Sequence, residues 1–186
     1  SMLNQTEKRL AGQGSKAISI CADAEVLPFQ SSSFSLITSS LMLQWANDLE
    51  VTLAQIHKTL AAEGVLMFSS FSQGTLKEIK ASWNDVDGEA HSSDFQSLAA
   101  LEATIKASGY SRVTIIPETI VINYDSIKNM LLDLKGIGAS NARNDRVRGL
   151  TGKQRFKEFQ RAFESHRLKN GSYPCTWEVT YVFCAK

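Results

Sequence analysis

No apolar run in this sequence reaches the ~20 residues needed to cross a bilayer, and no short apolar core of a secretory leader stands near its start. A membrane-spanning or exported protein is therefore not expected; a cytoplasmic one is. Cysteine is scarce. The three present, Cys21, Cys175 and Cys184, are odd in number, include no Cys-x-x-Cys and sit in apolar, strand-like runs, which suits buried, reduced thiols rather than a disulfide framework. The three histidines, His57, His91 and His166, lie far apart without ligand spacing, so no metal site is expected. Charge of one sign is missing as well: 20 Lys and Arg against 19 Asp and Glu leave a net charge of +1, which argues against a general nucleic-acid or membrane-surface binder. There is no Ser/His/Asp order, paired-carboxylate site or reactive-thiol context. No catalytic acid, base or nucleophile is nominated, and the expected reaction is one that needs little acid-base help.

What is present is enough for one domain with a real core: 186 residues, 43% of them apolar. Charge is unevenly spread. Residues 143 to 169 hold nine Lys or Arg against three Asp or Glu, so the remainder is net negative. That run reads either as one positive face or as an ordinary solvated helix. Overlapping its start, "LLDLKGIGASNARNDR" contains Gly136-Ile137-Gly138 and then Arg143 and Arg146, with Arg148 just beyond. A phosphate-binding glycine loop follows a strand and opens a helix. Here Ile127, Met130, Leu131 and Leu134 recur at helical spacing ahead of it, so Gly136 is expected as a left-handed helix cap.

"KAISICAD" and "SFSLITSSLML" read as buried strands on either side of "AEVLPF", where Pro28 blocks a helix. Asn47 or Asp48 is expected to cap a helix with Leu49, Leu53, Ile56 and Leu60 inward and Gly64 at its end, and "VLMFSSF" follows as a strand. Strand, helix, strand at this spacing predicts a parallel βαβ crossover. Leu76, Ile79 and Trp83 share one helical face. "SDFQ" at 93 to 96 is expected to open a helix with Phe95, Leu98, Leu101 and Ile105 inward and Gly109 as its end. "RVTIIPETIVINY" reads as a strand broken at Pro117. "TGKQ" (Thr151, Gln154) is expected to box a helix with Phe156, Phe159 and Phe163 inward, stopped by Gly171 and Pro174. "CTWEVTYVFCA" alternates strictly and is expected to pair with 112 to 123 as a terminal antiparallel hairpin. The roughly fifty residues between those strands are too many for a plain connector and predict a lid or binding element.

Ligands of open α/β sheets bind past the carboxyl ends of strands. Those ends carry Asp23, Ala24 and Glu25, then Ser39, Ser40, Leu43, Gln44 and Trp45, then Ser69 to Gly74. An acid there can accept from an amine or hydroxyl of a nucleotide, with Leu27 and Phe29 as apolar cover. A turn-capping role for Asp23 and a core role for Trp45 are the plain alternatives.

"ADAEVLPF", "SFSLITSSLMLQW" and "LAAEGVLMFSSF" resemble the second and third motifs of a class I S-adenosylmethionine-dependent methyltransferase. "SQGTLKEI", "WNDVD", "LLDLKGIGASN", "LTGKQ" and "NGSYPCTWEV" are similar to the malonyl-[acyl-carrier protein] O-methyltransferases of biotin synthesis, and this resemblance covers residues 2 to 185. It implies an α/β fold: the C-terminal part of a Rossmann-like sheet with a terminal antiparallel hairpin, as one truncated domain over 1–186 with a helical substrate lid over 124–172. The family's glycine-rich first motif, and the strand whose acid holds the ribose, have no counterpart here. Asp23, Ala24, Glu25, Ser39, Ser40 and Trp45 are then the expected cofactor contacts, with S-adenosylmethionine as methyl donor. Substrate contacts are expected from Arg148 first, then Lys135, Arg143 and Arg146, with Gln44 and Tyr173. The implied substrate is a malonyl thioester on acyl carrier protein, whose free carboxylate is methylated. Alternatives are a non-catalytic fragment that keeps only carrier-protein binding, and a related methyltransferase for another small acid. The strand at 35 to 42 is expected to be left with a bare apolar edge or with the strand at 17 to 22 beside it, and the bare edge predicts a homodimer.

Overall fold

The computed structural model describes residues 2–12, 17–88, 95–136 and 152–186. In chain order the elements are α1 (Met2–Gly12), β1 (Phe34–Ser40), a 3₁₀ turn (Leu43–Trp45), α2 (Leu49–Thr59), β2 (Leu60–Phe71), α3 (Lys77–Asn84), α4 (Leu98–Ala107), β3 (Arg112–Tyr124), α5 (Ile127–Gly136), α6 (Lys153–Phe163), a second 3₁₀ turn (Glu164–His166) and β4 (Tyr173–Ala185). The four strands form one sheet in the order β1-β2-β4-β3. β1 and β2 are parallel, joined by α2 as the expected crossover. β4 is antiparallel to β2 and, from Arg112↔Ala185 to Tyr124↔Tyr173, to β3, which is the terminal hairpin.

Alternation along β4 builds two cores on opposite faces of the sheet. Tyr173, Cys175, Trp177 and Val179 pack with Leu76, Ile79 and Trp83 of the α3 region, Ile127, Met130 and Leu134 of α5, and Phe159 and Phe163 of α6. Val182 and Cys184 point the other way, against Leu53 and Ile56 of α2, Leu66 and Phe68 of β2, and Leu101 and Ile105 of α4. Phe159, wholly buried, stacks on Trp83 with ring centres 4.5 Å apart.

Several local expectations are corrected. Residues 17–22 form no strand and no ladder with a described strand; Ile18 is 86% exposed, and Cys21 is exposed rather than buried. β1 is consequently the edge of the described sheet, and on the α5/α6 face, beyond the stretch those helices cover, Leu36, Met67, Ile116, Tyr181 and Phe183 are all exposed. α2 ends at Thr59, where Leu60 turns extended (φ −70°, ψ 140°), not at Gly64. Gly64 lies inside β2 where the register with β1 is irregular, and a Cβ there would come within 2.9 Å of the Ala61 carbonyl oxygen. α4 starts at Leu98 with the Ser97 hydroxyl accepting from Ala100 N, so Phe95 precedes the helix, while Ser93 and Asp94 lie outside the described residues. Gly109 (φ +88°) closes α4 as expected. Pro117 does not interrupt β3, because β3 is an edge strand and a missing N–H there need not cost a ladder bond. Gly136 is helical and ends α5 without a left-handed turn. α6 follows Gly152 with no side-chain cap; Gln154 instead donates to Glu158, and Thr151 lies outside the described residues. Pro174 belongs to β4 rather than stopping a helix.

Replacing Phe159 with Ala removes the ring that joins α6 to Trp83 and should cost about 3–5 kcal/mol, read as a lower denaturation midpoint in urea.

Candidate functional site

The carboxyl ends of β1 and β2 open onto two hollows, one on each side of the 3₁₀ turn. The larger is an open cleft of about 620 Å³ lined by Ala22, Asp23, Ala24, Glu25, Met42, Trp45, Ala46 and Asn47. Residues 23 to 26 make a tight turn, with Val26 N donating to Asp23 O at 3.1 Å. The Asp23 carboxylate caps that turn by accepting from Glu25 N at 2.9 Å, and the residue stays exposed. The Glu25 carboxylate accepts from Asn47 N (2.8 Å) and Asp48 N (3.0 Å), which fastens the turn to the start of α2. Asp48 in turn caps α2 by accepting from Val51 N. Trp45 is 40% exposed and meets the Phe95 ring edge-on at 6.1 Å. An indole face and a carboxylate at one cleft wall can take a flat ring and a hydroxyl or amine donor.

The smaller hollow, about 210 Å³, lies between the 3₁₀ turn, the start of α2, the end of β2 and α4, and shares Ala46 and Asn47 with the cleft. Gln44 lines it. Its amide nitrogen donates to Leu41 O at 2.7 Å. Its oxygen is buried without a hydrogen-bond partner.

The structure thus gathers Asp23, Ala24, Glu25 and Trp45 at one cleft, as the sequence suggested. Ser39 and Ser40 end β1 but line neither hollow; the Ser39 hydroxyl is buried and unpartnered. Leu27 packs on the α2/α4 core and Phe29 against Phe34, so neither covers the cleft. Tyr173 belongs to the α5/α6 core: its hydroxyl donates to Glu164 at 2.7 Å, which raises its pKa, and Arg167 lies over its ring. Lys135 is exposed in the last turn of α5. Arg143, Arg146 and Arg148 lie outside the described residues. Met42, Ala46 and Asn47 line the cleft without having been expected; they flank Trp45 in sequence, which was the available signal. Of the walls of the smaller hollow, Phe71 lies in the Ser69 to Gly74 strand end already singled out, whereas Phe95 was expected only on the inner face of a helix. Among the described residues no three His, Cys, Asp or Glu side chains are grouped to hold a metal ion, and no helix is long and apolar enough to cross a membrane.

Known proteins give the arrangement its context. Residues 1–68 match the family model described as a methyltransferase domain. The fold is shared with the YcgJ protein of Bacillus subtilis (TM-score 0.66, 15% identity, 100% of this chain and 78% of that one). It is shared too with a SAM-dependent methyltransferase of Thermotoga maritima (TM-score 0.51, 12% identity, 98% and 69%). The chain therefore has the mixed α/β fold of the class I methyltransferases. In sequence it is 37% identical over 162 residues to the malonyl-[acyl-carrier protein] O-methyltransferase of Laribacter hongkongensis, covering 87% of this chain and 54% of that protein. It is 33% identical over 168 residues to the protein of the same name from Gallionella capsiferriformans, covering 90% and 58%. The chain is thus a homologue of the malonyl-[acyl-carrier protein] O-methyltransferases, and it spans about half the length of these curated relatives.

The thiols divide sharply by environment. Burial pushes Cys184 up to about 12, and burial beside Glu78 does the same to Cys175, whereas Cys21 is exposed next to the cleft-lining Ala22. A chromogenic disulfide reagent at neutral pH should titrate one thiol quickly in the folded chain and all three after unfolding.

Proposed function

We propose that this chain serves methyl transfer from S-adenosylmethionine to the free carboxylate of a malonyl group carried on acyl carrier protein, a cytoplasmic step early in biotin synthesis. The observation that carries this reading is the cleft at the end of β1, where Asp23 and Trp45 meet, in a chain homologous to proteins of that name. Asp23 suits an adenosyl hydroxyl or amine, and Trp45 with Met42 covers the base. The bound donor would supply a methyl group on a sulfonium, ready for displacement. The protein's own task is then to orient a carboxylate in line and to keep water away, which fits a site without a general acid or base. The helical stretch between β3 and β4, with α5 and α6, acts as the substrate lid. Arg148, or Lys135, Arg143 or Arg146, pairs with the acceptor carboxylate. Exposed Lys153, Arg155 and Lys157 at the start of α6 face an acidic carrier protein; Arg155 also reaches Asp87 at 3.5 Å.

Titration calorimetry with S-adenosylmethionine and S-adenosylhomocysteine tests the reading. Micromolar binding is expected, weakened about tenfold by Asp23→Asn. Among the described residues β1 has no strand on its far side, so no strand there adds to the cleft. That favours a second reading, carrier-protein binding without chemistry. Binding of acyl carrier protein with no heat from either adenosyl compound would select it.

A second copy of the chain is the proposed cover for the bare edge. Sedimentation equilibrium should give a mass that rises toward a dimer with concentration. Leu36→Lys, a charge on the edge strand, should return it to the monomer. A monomer at every concentration for the unaltered chain would refute the dimer.

A further inference from the structure

The smaller hollow is not used by the cofactor reading above, and its chemistry is distinctive. Among the described residues its polar lining consists of Gln44, Asn47, Ser70 and Gln96, all neutral, which suits a neutral polar group better than an unpaired carboxylate. Phe71, Phe95, Leu43 and Leu101 supply an apolar remainder suited to a neutral chain.

Gln44 adds direction. Leu41 O can only accept, so the side-chain nitrogen that sits 2.7 Å from it must be the donor, and this fixes which end of the amide is which. The opposite end, Oε1, is buried with no partner and out of reach of water in this rotamer, so a ligand donor meets it when the side chain turns toward the hollow. A buried carbonyl left alone calls for a donor from outside. Ala46 and Asn47 border both hollows, so a ligand donating to Gln44 would stand beside whatever occupies the cleft.

From this geometry we infer that the smaller hollow holds the arm of a thioester acceptor, with Gln44 Oε1 accepting the N–H of a secondary amide in that arm. Acyl groups on carrier proteins hang from an arm of this type, with amides near the sulfur. The assignment rests on the thioester reading of the preceding subsection and goes beyond it: recognition is of the arm, so the acyl carboxylate must reach a cation elsewhere. Gln44 is a positioning residue in this account and touches no reacting atom.

The test uses two small probes on the 186-residue chain: the malonyl thioester of N-acetylcysteamine, which has the amide N–H, and its ester isostere, in which oxygen replaces that NH. In the isostere an acceptor faces an acceptor, and a buried polar group loses its partner. By NMR titration the unaltered chain should bind the amide probe about tenfold or more tightly than the ester. Gln44→Met, close in volume, should weaken the amide probe to the level of the ester and leave the ester unchanged. If that variant does not fold, the side-chain amide resonance of Gln44 in the unaltered chain decides, since it should move with the amide probe alone. Equal affinity for both probes, or a preference that survives Gln44→Met, would overturn the assignment. If the chain binds S-adenosylmethionine and malonyl-loaded carrier protein but does not discriminate the probes, only the arm assignment falls. If it binds neither thioester probe nor carrier protein, the thioester reading falls with it.

Discussion

β4 has to satisfy two ladders and two cores at once. Its thirteen residues pair with β2 from Val179 to Ala185 and with β3 along their whole length. The side chains alternate between the α3/α5/α6 core and the α2/α4 core, so a one-residue slip would exchange every one of them. Register is therefore strongly specified, and polar bonds hold it further. The buried Glu78 carboxylate accepts from both the backbone N–H and the hydroxyl of Thr176. Thr75 and Glu178 exchange bonds: Glu178 N donates to the Thr75 hydroxyl, which donates to Glu178 O. These contacts clamp the segment after β2 onto β4, and that clamp sets where Ser70 and Phe71 stand at the mouth of the smaller hollow.

The cleft depends on a second, shorter chain of polar contacts. Asp23 shapes its turn, Glu25 ties the turn to Asn47 and Asp48, and Asp48 starts α2. Each carboxylate satisfies N–H groups that a loop or helix start leaves open. The consequence is a cleft wall whose geometry is set by the same helix that crosses from β1 to β2. Glu25 thereby has a structural task that leaves Asp23, whose second carboxylate oxygen has no bond to a described residue, as the acid with capacity to spare.

Much of this was legible in advance because the relevant signals are local. The period of 2 in "CTWEVTYVFCA" and of 3.6 around Phe159 and Phe163 predicted both the hairpin and the inner face of α6 correctly. The crossover followed from the strand-helix-strand spacing; Asp23, Ala24, Glu25 and Trp45 do line one cleft, although the strand expected to carry the first three is absent. What failed needed partners that no window contains. Residues 17–22 have a strand's composition but join no described strand, and Pro117 reads as a break unless β3 is known to lie at an edge. Gly64 looks like a cap until the irregular register of β1 and β2 places it within a strand. The smaller hollow was legible only in part: Leu43, Gln44 and the Ser69 to Gly74 stretch were marked as strand ends, but Phe95 comes from a separate segment and meets Phe71 only in space, 5.4 Å apart.

That meeting links the two halves of the molecule. Trp45 at the cleft touches Phe95, Phe95 touches Phe71, and Phe71 lies 5.1 Å from Trp177 of the α5/α6 core. Four rings in succession thus run from the cleft, past the hollow that Gln44 lines, to the core beneath the helical insertion. Packed rings of this size resist independent movement, because a shift of one opens a void beside the next. A group entering the smaller hollow would press on Phe71 and Phe95, and through Trp177 on the packing that seats α5 and α6. If those helices close over a substrate, the occupant of the hollow and the position of the helices cannot be set separately. Recognition of a neutral arm at Gln44 would then be felt at the insertion through steric contact alone, without any charge crossing the core.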